Sequence, residues 1–444
     1  MSRKTVPHFL RIAMLAVHSS PVGELGTQDT GGMSVYMREL ARELGKLGHR
    51  ADVFTRRRDP AETESVRMFE NVRLLRLQAG TNGELHKLAL CPHLGEFCRE
   101  LERFRAREGI RYDIIHSHYW LSGLVGSWLR DRWGAPHVIL FHTLGALKNA
   151  IIEPEPGLRM THEKRLACSC DRVVATTARE KGYLVRAYGT SPENIGVVPC
   201  GVDLDLFRPE DKEKARQRLG FDPEDPLVLF VGRLAPLKGI DRLLAAVGLL
   251  QHRCRLRLVI IGGSGGDTPE TRRLEALSEK LGIREQVVFL GRIEHGELPP
   301  YYNACDVLVL PSHYESFGLV ALEALACGTP VVATRVGAMP ELVQEGKTGY
   351  LAADGSPWSI SRAIESVLHG RLSLSADGIR ATVLSYGWAR IASGVEREYR
   401  IALGLRGLRR GQGQGKGESG GEGEAFLAPA ARGCSAPPCR RELV

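Results

Sequence analysis

The stretch PLVLFVGRLAPLKGI, residues 226–240, decides the fold of this chain, because it opens a second series of short apolar runs that each lead into a helical pattern. Such alternation predicts βα units and parallel sheets. The same alternation fills the first half, from LRIAMLAV at residues 10–17 to RVVATT at residues 172–177. A series that ends and restarts predicts two doubly wound, Rossmann-like halves, with a ligand cleft at the carboxyl ends of their strands.

The domain organisation follows from that restart. At 444 residues the chain is long enough for two domains, which we place at residues 1–200 and 201–387. Residues 388–404 predict a final amphipathic helix that packs back on the first domain. The Gly-, Pro- and charge-rich residues 405–444 are expected to form a disordered tail.

The composition is typical of a soluble globular protein. No apolar run approaches the roughly 20 residues of a membrane span, so no stable membrane insertion is expected. The first 20 residues imitate a signal peptide, but Pro7, His8 and Arg11 interrupt the apolar run and predict a first β-strand instead. Ten scattered cysteines without metal-ligand spacing predict reduced thiols and a cytoplasmic location.

The net charge of +8 raises the alternative of a nucleic-acid-binding protein. That protein would use the basic tail, yet the tail mixes acidic with basic residues and carries one aromatic residue, Phe426. The tail therefore offers few side chains for base stacking and no continuous basic stripe for the phosphate backbone. The charge suits small anionic ligands at least as well, and we expect no nucleic-acid partner.

Two glycines, Gly31 and Gly32, precede an amphipathic helix in GTQDTGGMSVYMREL, residues 26–40. Glycines let backbone N–H groups approach a ligand closely, and a helix N-terminus favours negative charge. A phosphate at this place is one interpretation. A tight turn that requires positive φ is the other.

Cations and carboxylates follow the predicted strands of the second half. Arg233 and Lys238 come after a strand, where they could bind a pyrophosphate or simply be solvated charges. Glu315 could be a helix-start charge. Glu323 stands among apolar residues, and a buried carboxylate needs partners, which the hydroxyl groups of a polyhydroxylated ligand would supply.

The glycine-rich turn LVIIGGSGGD, residues 258–267, raises the alternative of a dehydrogenase. NAD binding would need an acidic residue at the end of the next strand. That strand, QVVFLGR, ends in Gly291 and Arg292. A loop that contacts phosphate is the interpretation that remains.

The segment ESFGLVALE, residues 315–323, carries a family resemblance. It resembles the E-x7-E signature of the retaining glycosyltransferases of family 4, which have the GT-B fold, and Arg233 with Lys238 matches the Arg/Lys pair of that family. The resemblance covers about residues 9–404. It implies a nucleotide-sugar donor held by the second of two Rossmann-like domains.

The resemblance also implies roles for individual residues of the donor site. Glu315 would bond hydroxyl groups of the transferred sugar, and Glu323 would bond the ribose. Arg233 and Lys238 would bind the diphosphate and assist its departure, and attack from the same face would retain the anomeric configuration. Arg292 and Ile293 match the place of the nucleotide base. The implied donor site further comprises Gly32, Tyr302, Ser316, Phe317, Gly318 and Leu319.

Motifs of the first half narrow the resemblance. HSSP, GGMSVY, HSHYWLSGLVG, FHTLGALKN and the later GVDLDLFRP resemble the inositol-phosphate N-acetylglucosaminyltransferases of mycothiol synthesis, and more loosely the sucrose-phosphate synthases. In the former group a Lys, a Tyr, a Thr and an Arg hold the acceptor phosphate. The matching positions here are Lys87, Tyr119, Thr143 and Arg159. Each of them alone also has an ordinary structural explanation.

Further acceptor positions follow from the same resemblance. His18, Asp29 and Gly31 match residues that touch the acceptor, and His142 matches a histidine near the reaction centre. Ser34 departs from the Asn that is typical of the group, which leaves the identity of the acceptor open. Among the other histidines, His116 and His118 are expected to be structural.

The resemblance therefore implies transfer of a hexosyl group from a UDP-sugar to a small phosphorylated acceptor. The first substrate pair that we expect is UDP-GlcNAc with an inositol phosphate. Transfer of glucose from UDP-glucose to a hexose phosphate, or a glycan or lipid acceptor, are alternatives. A phosphorylase is not favoured, because no lysine signature for pyridoxal phosphate is present. No cofactor is expected, although a loosely bound Mg²⁺ stays open, and family relatives suggest a homodimer.

Overall fold

The computed structural model describes residues 8–23, 31–149, 155–251, 256–263 and 268–413, without the side chains of residues 406–413. Residues up to Arg406 pack as one unit. Its described part contains two separate sheets, one from each half of the chain.

The first sheet has eight strands within the described residues, in the order β3-β4-β2-β1-β5-β6-β7-β8. All neighbours are parallel except β3, which is an antiparallel edge strand on β4. The strands are β1 (Arg11–Leu15), β2 (Arg50–Arg56), β3 (Ser65–Phe69), β4 (Val72–Leu77), β5 (Ile114–His118), β6 (His137–Leu140), β7 (Arg172–Ala175) and β8 (Ile195–Val197).

The second sheet has six parallel strands within the described residues, in the order β11-β10-β9-β12-β13-β14. The first of its strands along the chain, Leu227–Val231, lies in the apolar run of residues 226–231. The strands are β9 (Leu227–Val231), β10 (Arg257–Ile261), β11 (Val287–Gly291), β12 (Val307–Leu310), β13 (Val331–Ala333) and β14 (Gly349–Leu351).

Helices connect the strands and cover the sheets, which is why the central strands are apolar on both faces. The predicted fold class, two Rossmann-like parallel-sheet halves of an α/β protein, is confirmed. The helices are α1 (Gly32–Lys46), α2 (Leu94–Arg107), α3 (Tyr119–Trp133), α4 (Gly145–Asn149), α5 (Gly157–Ser169), α6 (Ala178–Tyr183), α7 (Lys212–Leu219), α8 (Ile240–Leu250), α9 (Pro269–Lys280), α10 (Pro299–Ala304), α11 (Leu319–Ala326), α12 (Met339–Leu342), α13 (Pro357–Leu368), α14 (Ala376–Ala381) and α15 (Trp388–Gly413).

The last helix, α15, contacts the first sheet. The hydroxyl group of Tyr399 lies 2.7 Å from Nδ1 of His116 on β5, and Glu398 forms an ion pair with Arg172 on β7. The chain thus crosses between the two sheets a second time just before α15. The two crossings are joined, because the N–H of Val202 donates to the carbonyl oxygen of Tyr386 at 2.9 Å and Val202 forms a β-bridge with Gly387.

The end of α15 corrects one expectation. Residues 405–444 were expected to be disordered, but the helix continues through residues 405–413. Leucine and arginine in this segment are strong helix formers, and each intervening glycine costs only about 1 kcal/mol. Residues 414–444 lie outside the described residues.

Candidate active site

A cleft of about 340 Å³ lies between the two sheets. Its walls include residues that follow strands of both sheets within three positions, as expected for open α/β sheets. From the first sheet these residues are His18, Tyr119, His142 and Thr176, and from the second they are Gly232, Gly262, Arg292 and Ser312.

Most of the residues singled out from the sequence line this one cleft. They are His18, Gly31, Gly32, Lys87, Tyr119, His142, Thr143, Arg233, Lys238, Arg292, Ile293, Glu315, Ser316, Phe317, Gly318, Leu319 and Glu323. Tyr302 and Arg159 are not part of its walls, and each lies behind a residue that is. Asp29 falls outside the described residues.

Lys238 and Glu315 form an ion pair on the second-sheet wall. The Nζ atom of Lys238 lies 2.5 Å from Oε2 of Glu315. Lys238 ends a short 3₁₀ turn after β9, and the next residue, Gly239, has φ 65°. A Cβ atom at Gly239 would lie 2.2 Å from the carbonyl oxygen of Pro311, so only glycine lets this turn approach the end of β12.

Glu323 is 5% exposed, and both of its carboxylate oxygens have partners within the protein. Oε2 accepts a hydrogen bond from the hydroxyl group of Tyr302 at 2.7 Å, and Oε1 lies 2.8 Å from Nε2 of His295. The expectation that a buried Glu323 needs partners is thus met within the protein, by residues that the sequence analysis did not pair with it. Protein donors already offset much of the desolvation.

His295 belongs to the site but was missed in the sequence. Burial lowers its pKa, but the neighbouring carboxylate of Glu323 raises it more, and the pKa ends above its ordinary value. The pair thus favours an imidazolium beside a carboxylate. The available signal was weak, because His295 is only a polar residue in the loop that carries Arg292.

Two helices begin at the cleft, α1 from the first half and α11 from the second. A Cβ atom built on Gly32 would lie 3.4 Å from Cδ1 of Leu319, so the two N-terminal turns approach each other. Gly31 has φ −172°, an extended conformation open to any residue, and Gly32 does not have positive φ either. The tight-turn interpretation of the two glycines is wrong, and two positive helix ends meet in the cleft.

Tyr119 joins the predicted acceptor residues on the first-sheet wall. Its ring lies 5.8 Å from Nζ of Lys87 and 4.9 Å from the guanidinium carbon of Arg159. Burial raises the pKa of its hydroxyl group to about 12, although Arg159 opposes the shift. With φ 74°, Tyr119 has a backbone conformation that is uncommon for a bulky residue.

Arg159 lies in the first turn of α5 and is 2% exposed. Nη2 donates to Oγ1 and to the carbonyl oxygen of Thr143, at 2.9 and 2.8 Å. Nε pairs with Glu163 at 2.6 Å and Nη1 with Glu155 at 2.8 Å. The guanidinium group is therefore held by the protein and reaches the cleft through Thr143.

Burial keeps three histidines of the first half, His18, His116 and His142, neutral near pH 7. Burial lowers the pKa of His142 to about 3, with His116 contributing, and burial also lowers the pKa of His116 to about 3. Burial, followed by Lys87, lowers the pKa of His18. An imidazole with so low a pKa is a weak proton acceptor.

Within the described ranges, no group of three or more His, Cys, Asp or Glu side chains is arranged to hold a metal ion. Among the described residues, no helix is long and apolar enough to cross a membrane.

Comparison with known proteins gives consistent matches over both halves. Residues 30–206 match the family described as Glycosyltransferase Family 4, and residues 211–381 match the family described as Glycosyl transferases group 1. D-inositol 3-phosphate glycosyltransferase 2 of Catenulispora acidiphila is 40% identical over 90% of this chain and 97% of its own length. The D-inositol 3-phosphate glycosyltransferase of Acidothermus cellulolyticus is 42% identical over 89% of this chain and 91% of its own.

Solved structures give the same result. The sucrose-phosphate synthase of Thermosynechococcus elongatus superposes with a TM-score of 0.83 at 32% identity, over 89% of this chain and 100% of the other. The HepE protein of Anabaena shares the fold, with a TM-score of 0.69 at 21% identity, over 89% of this chain and 99% of the other. The chain is therefore a glycosyltransferase and belongs to glycosyltransferase family 4.

Proposed function

We propose that this glycosyltransferase moves a hexosyl group from a UDP-sugar to a small phosphorylated acceptor with retention of configuration. The first pair of substrates is UDP-GlcNAc and an inositol phosphate. One observation carries the proposal: Lys87, Tyr119 and Thr143 of the first half line the same cleft as Lys238 and Glu315 of the second half. An anionic acceptor on one wall would thus face a diphosphate on the other.

The donor diphosphate binds at the second-sheet wall. Arg233 and Lys238 follow β9 there, and α1 and α11 direct their positive ends into the same space. The diphosphate competes with Glu315 for the ammonium group of Lys238. Glu315 then turns to hydroxyl groups of the hexosyl group, and the charge that develops on the departing UDP is stabilised by the two cations.

The nucleoside occupies the part of the cleft beside Glu323. Tyr302 and His295 hold the carboxylate in place, and its remaining lone pairs accept hydrogen bonds from the ribose hydroxyl groups. The base lies against Arg292 and Ile293, which line the cleft after β11.

The acceptor phosphate binds at the first-sheet wall. Lys87 supplies the charge, Tyr119 and Thr143 supply hydroxyl donors, and Arg159 supports them from behind through its hydrogen bonds to Thr143. The acceptor hydroxyl group attacks from the face that UDP leaves, and the leaving phosphate oxygen takes its proton. The low pKa of His142 fits this assignment, because its ring is a weak base.

Transfer of glucose from UDP-glucose to a hexose phosphate is the second candidate. It is favoured by the similarity to the sucrose-phosphate synthase of Thermosynechococcus elongatus. Ser34, where the inositol-phosphate enzymes typically carry Asn, also leaves the acceptor open. It is 1% exposed, and its hydroxyl group lies 3.0 Å from that of Ser19.

A UDP-release assay with the two donors against inositol phosphate, inositol, hexose phosphate and hexose tests the proposal. Release with UDP-GlcNAc and inositol phosphate alone supports the first pair, and NMR of the product should show the anomeric configuration of the donor. Release with hexose phosphate alone supports the second candidate. Release that ignores the phosphate group contradicts the acceptor site, and an inverted product contradicts retention.

A further inference from the structure

A buried histidine on β5 contacts the histidine of the cleft. His116 and His118 lie two residues apart on one strand, so their side chains share a face of the sheet, and their ring centroids are 4.2 Å apart. Nδ1 of His118 lies 2.9 Å from Nε2 of His142. His118 itself does not line the cleft.

The backbone at His142 is strained. The N–H of Thr143 donates to the carbonyl oxygen of Phe141 at 2.7 Å, and His142 between them has φ 60°. A three-residue turn closed in this way with positive φ is a rare conformation. It persists only where the surroundings hold it.

Hydrogen bonds from other residues hold both sides of this turn. On one side, Arg159 donates to the carbonyl oxygen and to Oγ1 of Thr143, at 2.8 and 2.9 Å. On the other side, the ring of His142 is held by His118. The strained turn is therefore held by Arg159 at Thr143 and, through the ring of His142, by the hydrogen bond to His118 and by the ring of Tyr36, whose centroid lies 5.3 Å away.

The surroundings of His118 decide where the two rings carry their protons. His118 is 0% exposed, and within the described residues its Nε2 atom has no hydrogen-bond partner. A buried N–H without an acceptor is rarer than a buried acceptor without a donor. The proton of neutral His118 therefore lies on Nδ1, from which it is donated to Nε2 of His142.

The protonation of His142 follows. Its pKa lies far below 7 because the ring is buried, so the ring is neutral and carries one proton. Nε2 accepts the hydrogen bond from His118, so the proton of His142 lies on Nδ1. The hydrogen bond made by one ring nitrogen thus sets the role of the other.

We propose that His118 is a positioning residue for hexosyl transfer: its Nδ1–H holds the ring of His142 and fixes the tautomer in which Nδ1 of His142 donates to a substrate oxygen in the cleft. The role in transfer rests on the proposed function. The hydrogen bond between His118 and His142 and the tautomer of His142 do not rest on the proposed function, because both can be measured without catalytic turnover.

The first measurement is the ring ¹⁵N chemical shifts of His142 in the wild-type protein saturated with UDP, with the signals assigned by their loss in His142→Gln. We expect a protonated Nδ1 and an unprotonated, hydrogen-bonded Nε2. A proton on Nε2 of His142 would overturn the proposal, whatever reaction the protein catalyses.

The second measurement compares variants. His118→Leu removes the donor, and His118→Asn keeps an N–H at the same distance from Cβ as Nδ1. For His118→Leu we expect kcat to fall by about 10- to 100-fold, as for other small misplacements of a reacting group, with little change in either KM. His118→Asn should recover most of the loss.

Tyr399→Phe is the matched control, because it removes a buried hydrogen bond to His116 and leaves the bond between His118 and His142 in place. It should change neither kcat nor the shifts of His142. Wild-type kcat in His118→Leu, or equal losses in folded, UDP-binding His118→Leu and His118→Asn, would overturn the proposal. If neither variant folds, the tautomer of His142 measured in the wild type decides whether the positioning role holds. If the wild type transfers no sugar, the proposed function is refuted, and the hydrogen bond and tautomer proposed here are not.

Discussion

The ammonium nitrogen of Lys238 and a carboxylate oxygen of Glu315 lie 2.5 Å apart on the wall of the cleft. Both side chains are partly exposed, at 21% and 16%, so a ligand can reach either of them. Each is thus the other's partner in the absence of substrate, and a diphosphate must compete with Glu315 for Lys238.

This competition predicts opposite effects on binding and on transfer. Glu315→Gln removes the competing charge, so UDP should bind more tightly, as measured by calorimetry. Transfer should nevertheless fall by about 100- to 1000-fold, because a charged contact to the reacting sugar is lost. Weaker UDP binding in Glu315→Gln would contradict the competition.

Lys238→Ala provides the reciprocal change and should weaken UDP binding as well as transfer. Lys214→Ala is its control, because the side chain of Lys214 is 82% exposed and lies on α7. The control should leave UDP affinity unchanged. An equal loss in both variants would mean that general surface charge, not this pair, binds UDP.

Lys87→Met should act on the acceptor alone. A charged hydrogen bond contributes about 1.5–3 kcal/mol, so the KM for a phosphorylated acceptor should rise on the order of 10- to 100-fold. The KM for the UDP-sugar should stay near its wild-type value. Exposed Lys164→Met on α5 serves as the control, and equal increases in both KM values would argue against an acceptor-phosphate site at Lys87.

Arg159→Met should destabilise the fold before it affects binding. The change leaves Glu163, which is 0% exposed, without its guanidinium partner, and breaking such a buried pair costs about 3–5 kcal/mol. Urea denaturation should show this loss, and Arg159→Met with Glu163→Gln should recover part of it. Unfolding at the wild-type urea concentration would show that the pair contributes little.

The pair of His295 and Glu323 predicts a pH dependence of stability. The pKa of His295 is raised in the folded protein, so the folded state holds its proton more tightly than the unfolded state. The stabilisation is complete below about pH 6.5, the ordinary value, and disappears as the pH rises through the raised pKa.

His295→Gln tests this dependence, because the amide keeps a hydrogen-bond donor for Glu323 but does not titrate. The difference in Tm between wild type and His295→Gln should be largest below pH 6.5 and should shrink toward alkaline pH. A difference that grows with pH would show that the pKa of His295 is not raised.

The sequence predicted those parts of the structure whose signal is local. Apolar runs such as the one at residues 226–231 gave the buried parallel strands. The edge strand β3 was missed, because its residues are largely exposed and carry no apolar run. The strand β8 was missed because the first series of apolar runs was taken to end at residues 172–177, and β8 (Ile195–Val197) lies beyond it.

The candidate site likewise contains residues with a local sequence signal and contacts without one. Lys238 and Glu315 were found because each stands in a recognisable local motif. Tyr302 was named only through the resemblance and not as a partner of Glu323, and His295 was missed. The two residues are 21 and 28 residues away from Glu323 in the chain, and nothing local marks a contact of that separation. The same holds for His118 and His142, whose contact spans 24 residues.

The paired crossings at Val202 and Tyr386 bear on how the cleft can open. Two neighbouring connections let the halves rotate about the line that joins the connections. They restrain rotation of the halves about any other axis. Val202→Pro, which removes the N–H donor, should broaden the distribution of distances between fluorophores placed on the two halves. Opening and closing would then follow one fixed arc, so Lys87 and Lys238 would return to the same separation in every catalytic cycle.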